Sequence, residues 1–343
     1  MFGKLANLFG FLPSNIGIDL GTANTVVFVQ GKGIVLYEPS IVAIDVKTGK
    51  VLAVGKEAKN MLGKTPENIQ TIRPLRDGVI TDFEATKVML SYFINKAVGG
   101  GIFKVKPRVV IGVPSGVTQV EKRAVIDASK SAGAREVYLI AEPMAAAIGA
   151  SLPIEEPIGN IIVDIGGGTT EIAVISLAGI VVSNSIRVAG DEMTEAIIQY
   201  VKKKYHLLIG EQTAERVKIE LGSAIYEDEE RFMEIKGRDV TGLPKVVNIS
   251  NRDATEALED VISSIVNAIK NTLERTPPEL ASDIAERGIT LAGGGSLLKG
   301  LNVRIEQETS IRTLYCEDPI TAVARGVGSV LDNIELIRKV SME

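Results

Sequence analysis

The sequence predicts an α/β protein made of two related domains, and two observations carry that prediction. Residues 161–175, IIVDIGGGTTEIAVI, read as a strand, a glycine-rich turn and a second strand. Residues 16–29, IGIDLGTANTVVFV, repeat the pattern. Aligning Asp19 with Asp164 pairs Gly21 with Gly166, Asn24 with Thr169 and Thr25 with Thr170. The copies are too far apart for a solenoid repeat, so one supersecondary unit is used twice, once in each half of the chain.

The turn of the second copy runs Gly166, Gly167, Gly168, Thr169, Thr170. Without Cβ atoms, its backbone N–H groups can converge on one anion. Thr170, Ile172 and Val174 alternate with Glu171, Ala173 and Ile175, which suits a strand. A single such turn is ordinarily a tight hairpin and nothing more. The duplicate changes that reading, because two acids and two amide-rich turns can together clamp the phosphates and metal of one nucleotide.

Composition bounds the function. A chain of 343 residues, 45% hydrophobic and 24% charged, is long enough for two large cores. A net charge of -5 and a pI near 5.3 argue against a nucleic-acid face, and aromatic residues at 4% with no tryptophan disfavour base stacking. Cys316 stands alone, so no internal disulfide forms and a reducing compartment fits. The single histidine, His206, follows a lysine-rich helix end, where a solvated or helix-terminal role is the default, and a serine triad or histidine metal site is disfavoured. No apolar run reaches the ~18–20 residues that span a bilayer.

Taken in order, residues 1–13 place Phe2, Leu5, Leu8, Phe9 and Leu12 at helical spacing. Two readings stand side by side: a lead-in packed on the domain, or an amphipathic anchor in a membrane surface. Residues 31–55 read as a small β-rich insertion, followed by a short helix over 56–62 and a helix over 83–96. Ile102 and Phe103 sit among glycines and lysines, a pair tucked under its domain or a membrane or partner contact. Strands are expected at 108–113 and 137–140, with a helix between them that the Thr118 and Glu121 capping box starts. Glu142 precedes Pro143, which suggests a helix cap, and a capping carboxylate and a catalytic one are equally compatible with that position.

After the second hairpin come helices at 192–205 and 213–221. In the latter, Glu215 and Lys218 share a face as an exposed ion pair or a base or ribose contact. The acidic run 227–230 reads as a solvated loop. A long amphipathic helix spans 254–276, ended by Pro277 and Pro278. Residues 288–301 read as a strand, a third glycine cluster at 293–295 and a helix from near Ser296, whose N-terminus suits an anion. Residues 319–331 are helical, and Gly326 and Gly328 suggest close packing on another helix.

The paired IDLGTAN and VDIGGGTT hairpins, with LAGGGSLLKGL, resemble the superfamily of actin, the heat-shock chaperone ATPases and the sugar kinases. The segments RPLRDGVITDF, VVIGVPSGVTQVEKRA, EPMAAAIG, GDEMTEAI, TAERVKIELG and TPPEL resemble more closely the MreB family of bacterial actin-like cell-shape proteins, over residues 16–331. That resemblance implies an actin-like fold around a nucleotide cleft. Domain I would cover 14–141, with the insertion at 31–65 and a return at 315–343. Domain II would cover 142–314, with its own insertion at 188–244.

The resemblance also assigns roles. Gly21, Thr22, Ala23 and Asn24 match the first phosphate hairpin, and Gly166, Gly167, Gly168 and Thr169 the second. Glu215, Arg216, Val217 and Lys218 match an adenosine-contacting helix, and Gly294, Gly295, Ser296 and Leu297 the loop behind the base. Asp19 and Asp164 match the acids around Mg²⁺, acting largely through water. Glu142 matches the glutamate that positions a hydrolytic water, with Asp164 beside it. Phe2, Leu5, Leu8, Phe9, Leu12, Ile102 and Phe103 match membrane-binding elements.

The expectation is therefore a slow ATPase, with GTP as a possible second nucleotide, that assembles into paired protofilaments on the inner face of the cytoplasmic membrane. Its partners would be itself, the membrane and cell-wall elongation proteins, with no nucleic acid. A sugar or small-acid kinase and a chaperone-type ATPase share the cleft. The first lacks a further acid in a recognisable motif, and the second would carry a peptide-binding domain after residue 331.

Overall fold

The structure, a computed structural model, describes residues 15–98 and 106–342. The candidate membrane residues at 2–12 and 102–103 lie outside the described residues. The chain divides into two compact units, Met1–Ile154 with Thr321–Glu343, and Glu155–Ile320.

The first unit opens with β1 (Ile16–Leu20), β2 (Asn24–Val29) and β3 (Gly33–Pro39). There follow β4 (Val42–Asp45), β5 (Val51–Val54), α1 (Lys56–Met61), β6 (Ile69–Ile72), β7 (Leu75–Arg76), β8 (Val79–Ile80) and α2 (Phe83–Val98). β9 (Arg108–Val113), α3 (Gln119–Ser131), β10 (Glu136–Ala141) and α4 (Glu142–Gly149) complete this stretch. Its main sheet has the order β10-β9-β1-β2-β3, with β1 antiparallel to β2 and parallel to β9. β3 belongs to this sheet, so the β-rich insertion begins later than residue 31 and consists of the separate sheet β5-β4-β6. The hydrophobic alternation of 33–39 does not reveal which sheet a strand joins.

The second unit contains β11 (Asn160–Ile165), β12 (Thr170–Ser176), β13 (Gly179–Ile186), α5 (Gly190–Tyr205), β14 (Leu207–Leu208) and α6 (Glu211–Leu221). β15 (Phe232–Asp239), β16 (Pro244–Ser250), α7 (Asn251–Glu274), α8 (Pro278–Arg287), β17 (Ile289–Ala292), α9 (Leu301–Thr309) and β18 (Thr313–Tyr315) follow. Its sheet order β13-β12-β11-β17-β18 is that of the first unit read from the other edge. In both, an antiparallel hairpin leads into two parallel strands, and the acid near the end of the hairpin's first strand lies beside the nearer of them, Asp19 opposite Gly112 and Asp164 opposite Ala292. The repeat seen in the hairpins thus extends to the whole sheet.

Burial explains why these segments hold. Every residue of β11 is buried, as expected for a strand with both faces covered. Leu258, Ile262, Ile265 and Ile269 of α7 recur at helical spacing and are fully buried in the same core as Ile172 and Val174. Each contributes roughly 1.5–3 kcal/mol on leaving water. α7 begins at a capping box in which Ser250 and Asp253 satisfy each other's backbone N–H groups, three residues earlier than the periodicity suggests. His206 caps α5 in the left-handed conformation (φ 51°), the expected terminal role.

The chain returns to the first unit as α10 (Ala322–Val330) and α11 (Ile334–Val340). α10 crosses α4 backbone to backbone. A Cβ on Gly326 would lie 1.8 Å from Ala145 O, and one on Gly149 would lie 1.9 Å from Ala322 O. This is the close packing that the small residues of 319–331 imply.

Three local expectations change. Residues 294–297 form a 3-10 turn and not the start of an α-helix, which begins at Leu301. Positive φ at Gly293 (80°) and Gly300 (72°) interrupts the helical path on both sides. Ala141 caps α4, and Glu142 is its first residue. The acidic run is not uniformly solvated, because the Glu227 side chain is 14% exposed and pairs with Arg231 and Lys299.

Asp253 also joins α5 to α7. It accepts hydrogen bonds from Lys204 Nζ (2.6 Å), Tyr205 Oη (2.6 Å) and the Ser250 N–H (2.8 Å). Burial alone would raise its pKa, but these donors outweigh burial and hold the carboxyl well below the usual carboxylate range. A depressed folded-state pKa means stability that is present above the unfolded value of ~3.9 and lost as pH falls through the folded value. Asp253→Asn is expected to cost about 2 kcal/mol at pH 7. Urea denaturation should show its deficit shrinking as pH falls below ~4, where the unfolded wild-type chain takes up a proton at Asp253 that the folded protein still excludes.

Candidate nucleotide site

In the first unit the turn at Gly21–Asn24 is braced from two sides. Ser40 Oγ donates to Gly21 O (2.6 Å) and lies 2.9 Å from Thr25 Oγ1, while its N–H donates to Ala23 O (3.0 Å). The Gly78 N–H, in the segment RPLRDGVITD, donates to Thr22 Oγ1 (3.1 Å). A Cβ on Gly21 would stand 2.7 Å from Asn24 O, so the turn closes this tightly only around glycine. Ser40 was not legible as a site residue. Its signal, a buried hydroxyl at the end of β3, exists only once β3 pairs with β2.

Asp19 lies at the C-terminal end of β1 and Glu142 just beyond that of β10, two parallel strands separated by β9. Asp19 is in register with Gly112, and the Glu142 Cγ is 3.5 Å from where a Cβ on Gly112 would be. The tighter neighbour is Val323, whose Cγ1 would stand 3.0 Å from that Cβ, and Glu142 itself is 8% exposed. Ligands of open α/β sheets bind outside these strand ends. Asp19 keeps some surface exposure, yet desolvation by the surrounding protein pushes its pKa up to about 7.

In the second unit Asp164 is buried at the end of β11. The turn closes through the Gly166 N–H donating to Thr169 O (2.9 Å). Two backbones press on it. A Cβ on Gly293 would lie 2.2 Å from Ile165 O and 2.5 Å from Asp164 Oδ1, and one on Gly295 would lie 2.6 Å from Ile165 Cγ2 and 3.1 Å from Gly166 O. The third glycine cluster is thus packed on the base of the second hairpin, with Gly294 and Leu297 exposed and Ser296 buried, its hydroxyl donating to Gly293 O. From the other side, the Gly190 and Asp191 N–H groups donate to Gly166 O (3.2 Å) and Gly167 O (2.7 Å).

α6 separates its matched residues by face. Val217 is fully buried in the core and Arg216 is exposed, so neither side chain shares the face of Glu215 and Lys218. The Glu215–Lys218 ion pair (2.7 Å) is not the exposed pair that the spacing suggests, because the Lys218 side chain is only 14% exposed.

Asp19 and Asp164 are hard oxygen donors, the kind Mg²⁺ takes. Among the described residues no group of three or more His, Cys, Asp or Glu side chains stands together to enclose a metal. Each is a carboxylate without a cage, which fits a cation that keeps most of its waters.

Asp19 must ionise to face such a cation. Its raised pKa means the charged form is a minority below pH 7. Mg²⁺-dependent nucleotide affinity, measured by calorimetry, is expected to rise about tenfold from pH 6 to 8. Asp19→Asn should bind more weakly at pH 8 and lose this slope.

The profile of the MreB/Mbl protein family matches residues 13–339. The cell shape-determining protein MreB of Escherichia coli (strain K12) is 52% identical over 332 residues, covering 95% of this chain and 96% of that protein. The cell shape-determining protein Mbl of Bacillus subtilis (strain 168) is 50% identical over 326 residues, covering 95% and 98%. MreB 5 of Spiroplasma citri bound to AMPPNP superposes with a TM-score of 0.89 at 40% identity, covering 94% of this chain and 97% of that one. A MamK double helical filament, 22% identical, shares the fold with a TM-score of 0.80 over 94% of this chain and all of that one. The fold is actin-like, and the chain belongs to the MreB/Mbl family.

Proposed function

We propose that this chain is an actin-like, nucleotide-driven filament protein that helps set bacterial cell shape. One observation carries the reading: two copies of one sheet each end in an acid followed by a glycine-closed hairpin, in a chain of the MreB/Mbl family. Relatives named for cell-shape determination, and a relative bound to AMPPNP, support it. Both hairpins would grip the phosphates of one ATP through their N–H groups, with Glu215 and the loop at 294–297 toward the nucleoside. Mg²⁺ would neutralise phosphate charge, with Asp19 and Asp164 holding its water shell.

Glu142 would orient a water toward the γ-phosphate, and the hairpin amides would receive the charge that develops there. The glutamate is 8% exposed and is the first residue of α4. Glu142→Ala is expected to keep ATP affinity within about threefold while assembled protein releases phosphate on the order of 100-fold more slowly. Asp164→Ala should instead weaken Mg·ATP binding. Normal phosphate release by pure Glu142→Ala filaments would remove the glutamate from the mechanism. Sedimentation tests the parent reading, since wild type should pellet with Mg·ATP, whereas a kinase or chaperone-type module would stay monomeric.

The filaments would lie on the cytoplasmic membrane, through the apolar residues of 2–12 and the Ile102 and Phe103 pair, near the cell-wall elongation machinery. Among the described residues no helix is long and apolar enough to cross a membrane. Deleting residues 1–12 together with Ile102→Ser and Phe103→Ser should abolish co-pelleting with liposomes at physiological salt and leave ATP-dependent assembly intact. Persistent pelleting would place the anchor elsewhere.

A further inference from the structure

Residues 293–300 run from the second phosphate hairpin to the loop that follows α6, and this strap is fastened at both ends within one compact unit. The first fastening is backbone contact, with Gly293 and Gly295 seated on Ile165 and Gly166 and no side chains between them. The second is polar. Lys299 O accepts the Ala224 N–H (2.8 Å), Ser223 and Lys299 form a parallel bridge, and the Ser223 hydroxyl lies 3.3 Å from the same carbonyl. Lys299 Nζ donates to Glu227 Oε2 (2.7 Å). Gly300 follows at φ 72°, where a Cβ would stand 2.6 Å from Ile225 Cγ1. Between the fastenings Leu297 is 48% exposed, while Ser296 and Leu298 on either side of it are buried. The strap thus holds an apolar side chain outward on backbone that is fixed at both ends.

Glu227 is what gives the second fastening its direction. Asp228, Glu229 and Glu230 after it are exposed, whereas the Glu227 side chain is drawn in. Arg231 Nη2 donates to Glu227 Oε1 (3.1 Å), and Arg231 Nη1 donates to Glu220 O in the last turn of α6 (2.9 Å). The Arg231 N–H donates to Asn251 Oδ1, on the first residue of α7 (3.0 Å). The carboxylate is therefore seated on two helices before it reaches Lys299. The Lys299 ammonium holds the Glu227 carboxyl below its ordinary value, burial opposes this, and Arg231 adds to it, so the pair is charged at neutral pH. The Lys299 side chain is 61% exposed, which limits the contact to the modest worth of a solvent-screened ion pair. A contact of that size sets the place of a short strap without deciding whether the unit folds.

We propose that Glu227 and Lys299 are positioning residues that staple the far end of the strap at 293–300 and so fix where Leu297 stands for the nucleoside. The inference rests on the nucleotide reading above. It adds that the two halves of the ligand depend on different fastenings. The phosphate grip relies on the glycine contacts at one end of the strap, and the nucleoside contact relies on the ion pair at the other. Loss of the ion pair loosens 297–300 and leaves Gly293 and Gly295 seated on the hairpin, because backbone packing at bare glycines needs no charge.

The test compares ATP with inorganic tripolyphosphate, which offers phosphates without a nucleoside, by calorimetry on the full chain with Mg²⁺ present. Wild type should prefer ATP. Lys299→Met, a change at a mostly exposed side chain, should weaken ATP about fivefold and leave tripolyphosphate within about twofold. Glu227→Gln should reproduce that loss, and Lys299→Arg should retain wild-type affinity for both. Hydrogen exchange with and without saturating ATP supplies a second readout. In wild type, ATP should slow amides in both 164–170 and 294–300. In Lys299→Met the slowing by ATP should shrink at 294–300 and persist at 164–170. A contact that served the fold alone would instead speed exchange equally with and without ATP and weaken both ligands together. That result, or a Lys299→Met protein with wild-type ATP affinity, overturns the staple alone. Wild-type protein that binds neither ligand, or binds tripolyphosphate as tightly as ATP, overturns the nucleotide reading, and the staple with it.

Discussion

Backbone-to-backbone contact at bare glycines is the constraint on which the second unit is built. Asp164 can end a fully buried strand, and the turn after it can present amides, only because two neighbouring segments approach without side chains. Gly293 and Gly295 press on Ile165 and Gly166, and Gly190 presses on Gly166 from another direction. A Cβ at Gly293 or Gly295 would meet a carbonyl or a packed side chain at 2.2–2.6 Å, closer than real contacts allow, and one at Gly190 would meet Gly166 O at a tight 3.1 Å. The first unit uses the same device with different parts. Gly21 closes its hairpin, Gly112 lets Val323 of α10 pack on β9, and Gly326 with Gly149 brings two helices into backbone contact.

Such packing concentrates polar groups without exposing them to water. Asp19, Glu142 and Asp164 sit at strand ends, and the two aspartates end corresponding strands of a duplicated sheet. Their surroundings differ in effect. Desolvation raises Asp19 toward neutrality, whereas Asp253, in the first turn of α7, is held ionised by a lysine, a tyrosine and a helix start. A carboxyl poised near pH 7 is one that a cation can recruit, and a carboxyl pinned in its charged form is one that joins helices. The same side-chain type therefore serves ligand and scaffold according to its neighbours.

Much of the candidate site was legible beforehand. The hairpins, Glu142 before its proline, and the Glu215 and Lys218 spacing stand in the sequence because each is a short-range pattern. What escaped was long-range. Ser40 braces the first turn only because β3 lies beside β2, and Thr194 meets Lys218 across 24 residues. The 3-10 turn after Gly293 was misread as a helix start because the positive φ of a glycine is invisible to apolar periodicity.

By itself the sequence determined the duplicated hairpin, the α/β alternation and the family, since these follow from local patterns of glycine, acid and apolar residues. The tertiary structure alone decided which side chains are spent and which remain for a ligand. Val217 went to the core, Lys218 to three internal acceptors, and Glu215 stayed part-exposed on the same helix. Helical spacing puts residues on a face, but only packing says what that face meets. Hydrogen-bond donors are few and short-ranged, so a side chain that satisfies its own fold has little left to offer a nucleotide.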